Sequence, residues 1–232
     1  MIIGGLQKTT LLDYPGKVAS TIFTVGCSFR CHFCHNPELV LPEKFDKKTF
    51  WSEEKILDFL ESRVKLLDAL VITGGEPTMH SGLESFIKKV RELGLLVKLD
   101  TNGTKPHIVE RLIKKGLIDY IAMDIKAPWK KYEEVVGCSV DLEKIKKSVK
   151  IIIGSGIDHE FRSTVLPGLH SASDIIAMAR QVKGADAYFL QQFRPAEKLI
   201  NEAYVNEKKF TLTELEVIRR EIKDWFKTSK VR

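Results

Sequence analysis

Six short apolar runs constrain the fold of this 232-residue chain more than any other feature of its sequence. They lie at residues 20–25, 69–73, 95–99, 120–123, 161–165 and 187–190. Each run is rich in apolar or β-branched residues and has the length of a buried strand. The segments between them carry apolar residues at helical spacing, as Leu83, Phe86, Ile87 and Val90 do over residues 82–93. Strands that alternate with helices predict a parallel sheet with crossover helices.

The number of strand–helix units sets the kind of barrel. Six units are too few for a closed eight-stranded barrel, so we expect an α/β fold in the form of an open, partial (β/α)6 barrel. No Pro/Gly/Ser-rich linker, low-complexity tract or internal repeat divides the chain, which predicts a single domain over residues 1–232. A last helix over about 213–227, with Thr213 as N-cap and Glu216 three residues later, is expected to close one side.

Composition and charge exclude several classes of protein. With 44% hydrophobic residues the chain can bury a sizeable core, which excludes disorder. Lysine plus arginine number 37 against 31 acidic residues, and the net charge of +6 suits an acidic partner or an anionic substrate but is too small to indicate nucleic acid. No apolar run approaches the roughly 18 to 20 residues of a membrane span, and the first residues lack the pattern of a secretory signal. We expect a cytoplasmic protein that binds neither membrane nor nucleic acid.

Polar side chains follow the predicted strands at the point where each strand ends. In parallel α/β folds the chemistry lies at these carboxyl ends. The residues concerned are Cys27, the segments 73–77 (TGGEP), 100–103 (DTNG) and 124–126 (DIK), Arg162, and Gln191 with Gln192. Packing alone does not predict such an accumulation, so we expect these residues to meet on one rim of the barrel.

Three of the four cysteines, Cys27, Cys31 and Cys34, lie within a span of eight residues. Cysteines this close on one loop rarely pair without strain, so a metal centre is the better interpretation. A zinc site would need a fourth ligand, for which His32 and His35 are the nearby candidates. A cubane iron–sulfur cluster for electron transfer takes four cysteines, so three would leave one iron open to substrate or cofactor. The loop therefore predicts a catalytic cluster.

The spacing Cys27-x3-Cys31-x2-Cys34, with the aromatic Phe33 before the last cysteine, resembles the signature of the radical S-adenosylmethionine enzymes. That resemblance implies a [4Fe–4S] cluster bound by the three cysteines, with S-adenosylmethionine chelating the open iron and being cleaved reductively to a 5′-deoxyadenosyl radical. A second segment, Gly74-Gly75-Glu76-Pro77, is similar to the family's cofactor-binding GGEP segment. Its glycines would permit close backbone approach and leave carbonyl and N–H groups free to bind the methionine amino group. On its own the segment would be an ordinary Gly-Pro turn.

Within this superfamily the chain is most similar to enzymes that install glycyl radicals on other proteins. Residues 34–37 (CHNP) resemble their segment after the last cysteine, and residues 100–103 and 124–126 resemble segments in which carboxylates and a lysine contact the cofactor or a monovalent cation. A strand-end cap is the alternative for the two aspartates. The resemblance implies S-adenosylmethionine-binding roles for Phe33, His35, Gly74, Gly75, Glu76, Pro77, Asp100, Asp124, Lys126, Arg162 and Gln192, and cation-binding roles for Asp100, Thr101 and Asp124.

Two further stretches narrow the resemblance. Residues 3–7 (IGGLQ) with 13–16 (DYPG), and residues 188–195 (YFLQQFRP), are most similar to the activating proteins of anaerobic ribonucleoside-triphosphate reductase. The sixth-strand histidine of pyruvate formate-lyase activators has no evident counterpart, since Gln192 or Arg194 occupies that region. The resemblance implies the reductase as partner, together with an electron donor such as flavodoxin or ferredoxin.

Other functions stay open beside this one. An activator of the pyruvate formate-lyase type, a small-molecule radical enzyme on the same scaffold and a zinc-binding interaction module are the alternatives. Cys138 stands alone in VVGCSV and is expected to be a small packing residue. Lys130 and Lys131 lie near the predicted rim and are the expected docking residues for a protein partner.

Overall fold

Eight strands form one sheet at the centre of the molecule. The computed structural model describes every residue from Met1 to Arg232. The strands are β1 (Ile3–Thr10), β2 (Ala19–Thr24), β3 (Ala69–Gly74), β4 (Leu96–Thr101), β5 (Tyr120–Asp124), β6 (Asp158–Val165), β7 (Ala187–Gln192) and β8 (Thr228–Val231). They lie side by side in chain order, with β1 antiparallel to β2 and every other pair parallel. The two edges do not pair with each other, so the sheet forms an open partial barrel, as predicted.

Eight α-helices accompany the strands. They are α1 (Pro37–Val40), α2 (Glu53–Glu61), α3 (Leu83–Glu92), α4 (Pro106–Lys114), α5 (Tyr132–Val136), α6 (Leu142–Ile153), α7 (Ala172–Gln181) and α8 (Leu212–Ile222). In α3 the predicted apolar stripe, from Leu83 to Val90, is fully buried, and the other crossover helices bury equivalent faces. None of the helices combines the length with the apolar composition needed to cross a bilayer.

All six predicted strands are present, each within three residues of its expected bounds. The sequence missed β1 and β8, which form the two edges of the sheet. The strand β1 (IGGLQKTT) mixes glycines and polar residues, and β8 (TSKV) is only four residues long. Edge strands are often short or polar because one side of each faces solvent or a covering element. Neither strand therefore shows the apolar run that identifies a buried strand.

The last helix begins earlier and is shorter than predicted. Its N-cap is Thr211, which forms a capping box with Glu214, and it ends at Ile222 before a 3-10 turn and β8. The predicted cap of Thr213 with Glu216 is wrong. The sequence contains two overlapping Thr-x-x-Glu patterns, and local spacing cannot choose between them.

Charged side chains fill the concave face of the partial barrel. Lys98 on β4 lies 3.6 Å from Glu160 on β6, and Arg162 on β6 lies 2.9 Å from Asp100 on β4, although β5 separates these strands. Side chains can meet across an intervening strand only where the sheet curves strongly. The interior of the barrel is therefore polar, while the outer face carries the apolar contact with the helices.

The connection between β1 and β2 closes the end of the barrel where the parallel strands begin. Tyr14 is buried and its ring lies 5.6 Å from that of Tyr120. The Nζ atom of Lys98 donates to the carbonyl oxygen of Asp13 at 2.5 Å, and the hydroxyl of Thr21 donates to the Asp13 carboxylate at 2.7 Å. This closure leaves the opposite end of the strands as the accessible side of the barrel interior.

Candidate functional site

A cavity lies where the parallel strands end, and most of the predicted site residues line it. Those that do are Cys27, Cys31, Phe33, Cys34, His35, Gly74, Gly75, Glu76, Asp100, Thr101, Asp124, Lys126 and Arg162. Pro77 and Gln192 do not line it. Pro77 is buried and begins a 3-10 turn. The amide of Gln192 donates to the carbonyl of Phe210 at 2.6 Å, which ties the end of β7 to the start of α8.

The loop of residues 26–36 is held from both sides by backbone hydrogen bonds. The N–H of Gly26 donates to the carbonyl of Leu39 at 2.7 Å, and the N–H of Arg30 donates to that of Val136 at 2.8 Å. The guanidinium of Arg30 also donates to the carbonyl of Cys27 at 2.7 Å. These contacts fix the backbone that carries the three cysteines, although the loop has little regular secondary structure.

The three cysteines face one cavity as free thiols. Burial raises the pKa of Cys27 to about 11 and that of Cys31 to about 12, and it also raises the pKa of Cys34. Thiolates are therefore formed here only when a metal centre compensates their charge. One buried and two half-buried thiols on one loop fit an iron–sulfur cubane, which binds each cysteine at a separate iron.

The zinc alternative lacks its ligand set. No three His, Cys, Asp or Glu side chains converge as a single metal ion requires. The imidazole of His32 stacks on Tyr204 at 5.7 Å. The imidazole of His35 stacks on Phe193 at 5.5 Å, and its Nε2 atom lies 2.6 Å from the carbonyl oxygen of Arg194. Both histidines thus attach the loop to the segment after β7 instead of completing a tetrahedral site.

The glycines of the 74–77 segment allow a close approach to the chain's own backbone. A Cβ atom on Gly74, whose φ is +112°, would lie 2.2 Å from the backbone nitrogen of Thr24, and one on Gly75 would lie 2.0 Å from the carbonyl oxygen of Gly26. The N–H groups of Gly75 and Glu76 donate to Thr24 and Gly26, both at 2.8 Å. The N–H group of Gly75 is therefore not free for a cofactor, because it binds β2. The expectation that the carbonyl groups of this segment bind the methionine amino group stays a prediction.

Glu76 is completely buried and its carboxylate links two loops. It accepts hydrogen bonds from the N–H and the hydroxyl of Thr78, from the hydroxyl of Thr101 at 2.8 Å and from the N–H of Asn102 at 2.6 Å. Burial raises its pKa, while these donors act in the opposite direction. The side chain therefore joins the segment after β3 to the segment after β4.

Arg162 bridges the two aspartates that were expected to bind a cation. Its Nη1 atom lies 2.9 Å from Asp100 and its Nε atom 2.9 Å from Asp124, whose second oxygen accepts from Lys126 at 2.9 Å. Burial would raise the pKa of Asp124, but Arg162 and Lys126 hold it well below its usual range. Both oxygens of Asp124 are thus engaged, and the Arg162 guanidinium lies between the two carboxylates. The monovalent cation site expected at Asp100, Thr101 and Asp124 stays a prediction.

Six further residues line the cavity. Phe29, Asn36, Val40 and Thr164 were not predicted there, whereas Thr73 and Asn102 belong to segments expected on the rim but were assigned no role. Thr73, Asn102 and Thr164 are polar residues at or near strand ends, and that position was the available signal.

The predicted docking pair lies outside the cavity: Lys130 is exposed, and Lys131 binds Asp174 at 2.8 Å. The half-buried Cys138 contacts the carbonyl of Ser28 at 3.4 Å.

Three thiols that line one cavity at the strand ends of a partial α/β barrel are the arrangement expected of a metal-cluster enzyme. The family model of the Radical SAM superfamily matches residues 21–182, and the chain belongs to that superfamily. Membership implies a [4Fe–4S] cluster and S-adenosylmethionine as cofactors. The three cysteines described above fit the cluster.

Two named proteins illustrate what this chain is similar to in sequence. A Methanocaldococcus jannaschii protein, named as a candidate glycyl-radical enzyme activating enzyme, is 37% identical over 84% of this chain and 81% of its own length. A protein of Pyrococcus horikoshii, named as a probable GTP 3′,8-cyclase, is 24% identical over 60% of this chain and 45% of its own length.

Solved structures show the same fold. Streptococcus suis SuiB bound to S-adenosylmethionine superposes with a TM-score of 0.70 at 17% identity over 90% of this chain; the chain spans about half of SuiB, 48%. QueE from Escherichia coli has a TM-score of 0.59 at 15% identity, covering 100% of this chain and 93% of its own. A domain of pyruvate-formate lyase-activating enzyme from Bacteroides vulgatus has a TM-score of 0.57 at 15% identity, covering 71% of this chain and 98% of its own.

Proposed function

We propose that this chain is an activating enzyme that installs a glycyl radical on a partner protein. The observation that carries the proposal is the three-cysteine cavity of a radical SAM barrel in a chain whose M. jannaschii relative matches along most of both lengths. When bound, the cluster, reduced by one electron from an external donor, would supply the electron that cleaves S-adenosylmethionine to methionine and a 5′-deoxyadenosyl radical. That radical would take one hydrogen atom from a glycine Cα of the partner, giving 5′-deoxyadenosine and a glycyl radical.

The side chains of the cavity divide into three proposed roles. Cys27, Cys31 and Cys34 hold the cluster. Lys126 and Arg162 present positive charge to the methionine carboxylate, because both lie in the cavity wall beside the cysteine loop. Asp100 and Asp124 hold these cations in place through the ion pairs already described, so the cavity keeps a defined charge pattern before the cofactor arrives.

The partner that the sequence favours is anaerobic ribonucleoside-triphosphate reductase. Two features support it over pyruvate formate-lyase. The stretches 3–7, 13–16 and 188–195 resemble activating proteins of the reductase. The end of β7 offers no histidine to the cavity, since Gln192 is turned to Phe210. The net charge of +6 would steer an acidic partner, so activation is expected to weaken as ionic strength rises.

The experiment mixes the anaerobically reconstituted, dithionite-reduced protein with S-adenosylmethionine and the reductase. We expect 5′-deoxyadenosine by chromatography and a glycyl doublet in the electron paramagnetic resonance spectrum. The doublet should disappear when the C-terminal glycine of the reductase is replaced by alanine. The Cys138→Ala variant serves as a matched control, because it changes a cysteine outside the cluster set.

Each outcome separates the alternatives. A glycyl doublet that forms only on pyruvate formate-lyase would show that this enzyme, and not the reductase, is the partner. Formation of 5′-deoxyadenosine without a radical on either protein would favour a small-molecule substrate. Zinc in place of iron and acid-labile sulfide after anaerobic purification would overturn the enzyme assignment.

A further inference from the structure

Asn102 lies directly behind the cysteine loop. It follows β4, is 6% exposed, and belongs to the cavity wall. Its Nδ2 atom lies 3.8 Å from Sγ of Cys27 and 3.1 Å from the hydroxyl oxygen of Ser28. The backbone N–H of Phe29 approaches the same sulfur at 3.4 Å. The Cys27 sulfur therefore faces one backbone donor and one side-chain donor.

The orientation of the Asn102 amide is fixed by its neighbours. The Oδ1 atom accepts from the N–H of Thr104 at 3.0 Å and from the Thr104 hydroxyl at 2.8 Å. Because the oxygen already faces two donors, the Nδ2 group must point towards Ser28 and Cys27. This network settles which end of the amide meets the sulfur.

The backbone of Asn102 is fixed as well. Its N–H donates to the Glu76 carboxylate at 2.6 Å, and the neighbouring Thr101 hydroxyl donates to the same carboxylate. Glu76 is fully buried. The backbone and the side-chain amide of Asn102 are thus both fixed by hydrogen bonds. A group that modulates a metal ligand through a hydrogen bond has to be oriented in this way.

A hydrogen bond to a cluster thiolate stabilises the reduced state of the cluster more than the oxidised state, because the reduced state carries one more negative charge. Here the bond would form in a buried site, where electrostatic effects are stronger than in water. We propose that Asn102 tunes the reduction potential of the [4Fe–4S] cluster upwards by donating its Nδ2 proton to Cys27 Sγ. This inference rests on the proposed function, since it requires the cluster to be bound.

The test measures the potential of the loaded protein by a redox titration followed by electron paramagnetic resonance. In Asn102→Ala the donor is lost, and we expect the ratio of reduced to oxidised cluster at a fixed potential to fall by about tenfold, which equals about 59 mV for one electron. Asn102→Asp keeps the shape and an oxygen acceptor for Thr104 but replaces the donor with an acceptor. The ratio of reduced to oxidised cluster in Asn102→Asp should fall at least as far as it does in Asn102→Ala.

Ser28→Ala is the matched control, because it removes the other acceptor of the Asn102 amide and leaves the contact with Cys27. We expect its potential to stay near that of the unmodified protein. Iron and sulfide are counted for every variant. A potential that is unchanged in fully loaded Asn102 variants, an equal shift in Ser28→Ala, or loss of cluster from both Asn102 variants would overturn the tuning role. Failure of the unmodified protein to bind iron would instead contradict the proposed function.

Discussion

Cys31 is the most deeply buried of the three cluster cysteines, with 8% of its surface exposed. Its replacement by alanine removes one ligand from a site that has no spare thiol, since Cys138 contacts Ser28 and lies apart from the set. We expect Cys31→Ala to lose iron and sulfide after anaerobic reconstitution. Cys138→Ala should bind both normally, and a full complement of iron in Cys31→Ala would show that the ligands have been misassigned.

His170 is a second residue whose environment leads to a prediction. It is 1% exposed, its Nδ1 atom accepts from the N–H of Leu166, and its Nε2 atom donates to the carbonyl of Lys126. Burial lowers its pKa. The nearby charge of Asp174 raises the pKa, and that of Lys131 lowers it. The folded protein therefore keeps this imidazole neutral at a pH where the unfolded chain has already bound a proton.

The sign of the pH effect follows from that difference. The pKa of His170 in the folded protein lies below the unfolded value of about 6.5. The contribution of the neutral imidazole to the free energy of unfolding is therefore complete above about pH 6.5 and is lost as the pH falls from there to the folded pKa. We expect His170→Gln to flatten the pH dependence of the free energy of unfolding between about pH 7 and pH 5. The exposed His107→Gln is the control. Some slope should remain, because burial also lowers the pKa of His80; a slope unchanged in His170→Gln would contradict the assignment.

At the scale of elements, the junction between β2 and β3 is set by backbone contact. A Cβ atom on Gly75 would lie 2.0 Å from the Gly26 carbonyl oxygen, whereas one on Gly5 in β1 would meet its nearest atom at 3.4 Å. We expect Gly75→Ala to lower the free energy of unfolding by about 1–3 kcal/mol and to weaken iron loading, because the two loops must separate. Gly5→Ala should change little. Denaturant titration with iron analysis measures both, and equal stability of the two variants would refute the contact.

At the scale of the whole molecule, Lys98 connects parts of the chain that are distant in sequence. It is 2% exposed, lies 3.5 Å from Asp100 and 3.6 Å from Glu160, and donates to Asp13 in the β1–β2 connection. Residues 13–16 contributed to the sequence analysis only through their resemblance to reductase activating proteins. The contact with Lys98 shows that this segment also takes part in the packing of the fold. The polar interior therefore contains two cations, Lys98 and Arg162, that lie among its carboxylates.

Lys98→Met keeps the length of the side chain but removes one buried cation; Asp100 keeps Arg162 at 2.9 Å, and Glu160 keeps Arg162 at 3.8 Å and Arg232 at 3.5 Å. We expect a loss of about 1–3 kcal/mol in the free energy of unfolding, because the buried carboxylates lose one of their charged partners but not all of them. Lys114→Met, which breaks the exposed pair with Glu110, should leave the stability almost unchanged. Urea unfolding of both variants makes the comparison. Similar midpoints for the two would mean that the interior carboxylates are neutral or hydrated.

The sequence by itself determined the features that depend on local pattern. Apolar runs of strand length located β2 to β7, and the spacing of Cys27, Cys31 and Cys34 indicated a cluster before any coordinates. Such patterns are readable because a buried strand or a ligand loop imposes its requirement within a few residues. The positions of the site on the strand ends followed from the same reasoning, since parallel strands end on one side of a sheet.

Only the tertiary structure decided which groups meet. Pairing at an edge leaves little periodic signal, so β1 and β8 were missed, and two equivalent Thr-x-x-Glu patterns hid the cap at Thr211. The same holds for the bridge from Arg162 to the two aspartates and for the contact of Asn102 with Cys27. These contacts join residues 38 to 75 positions apart. Their geometry depends on sheet curvature and loop packing, which no local pattern encodes.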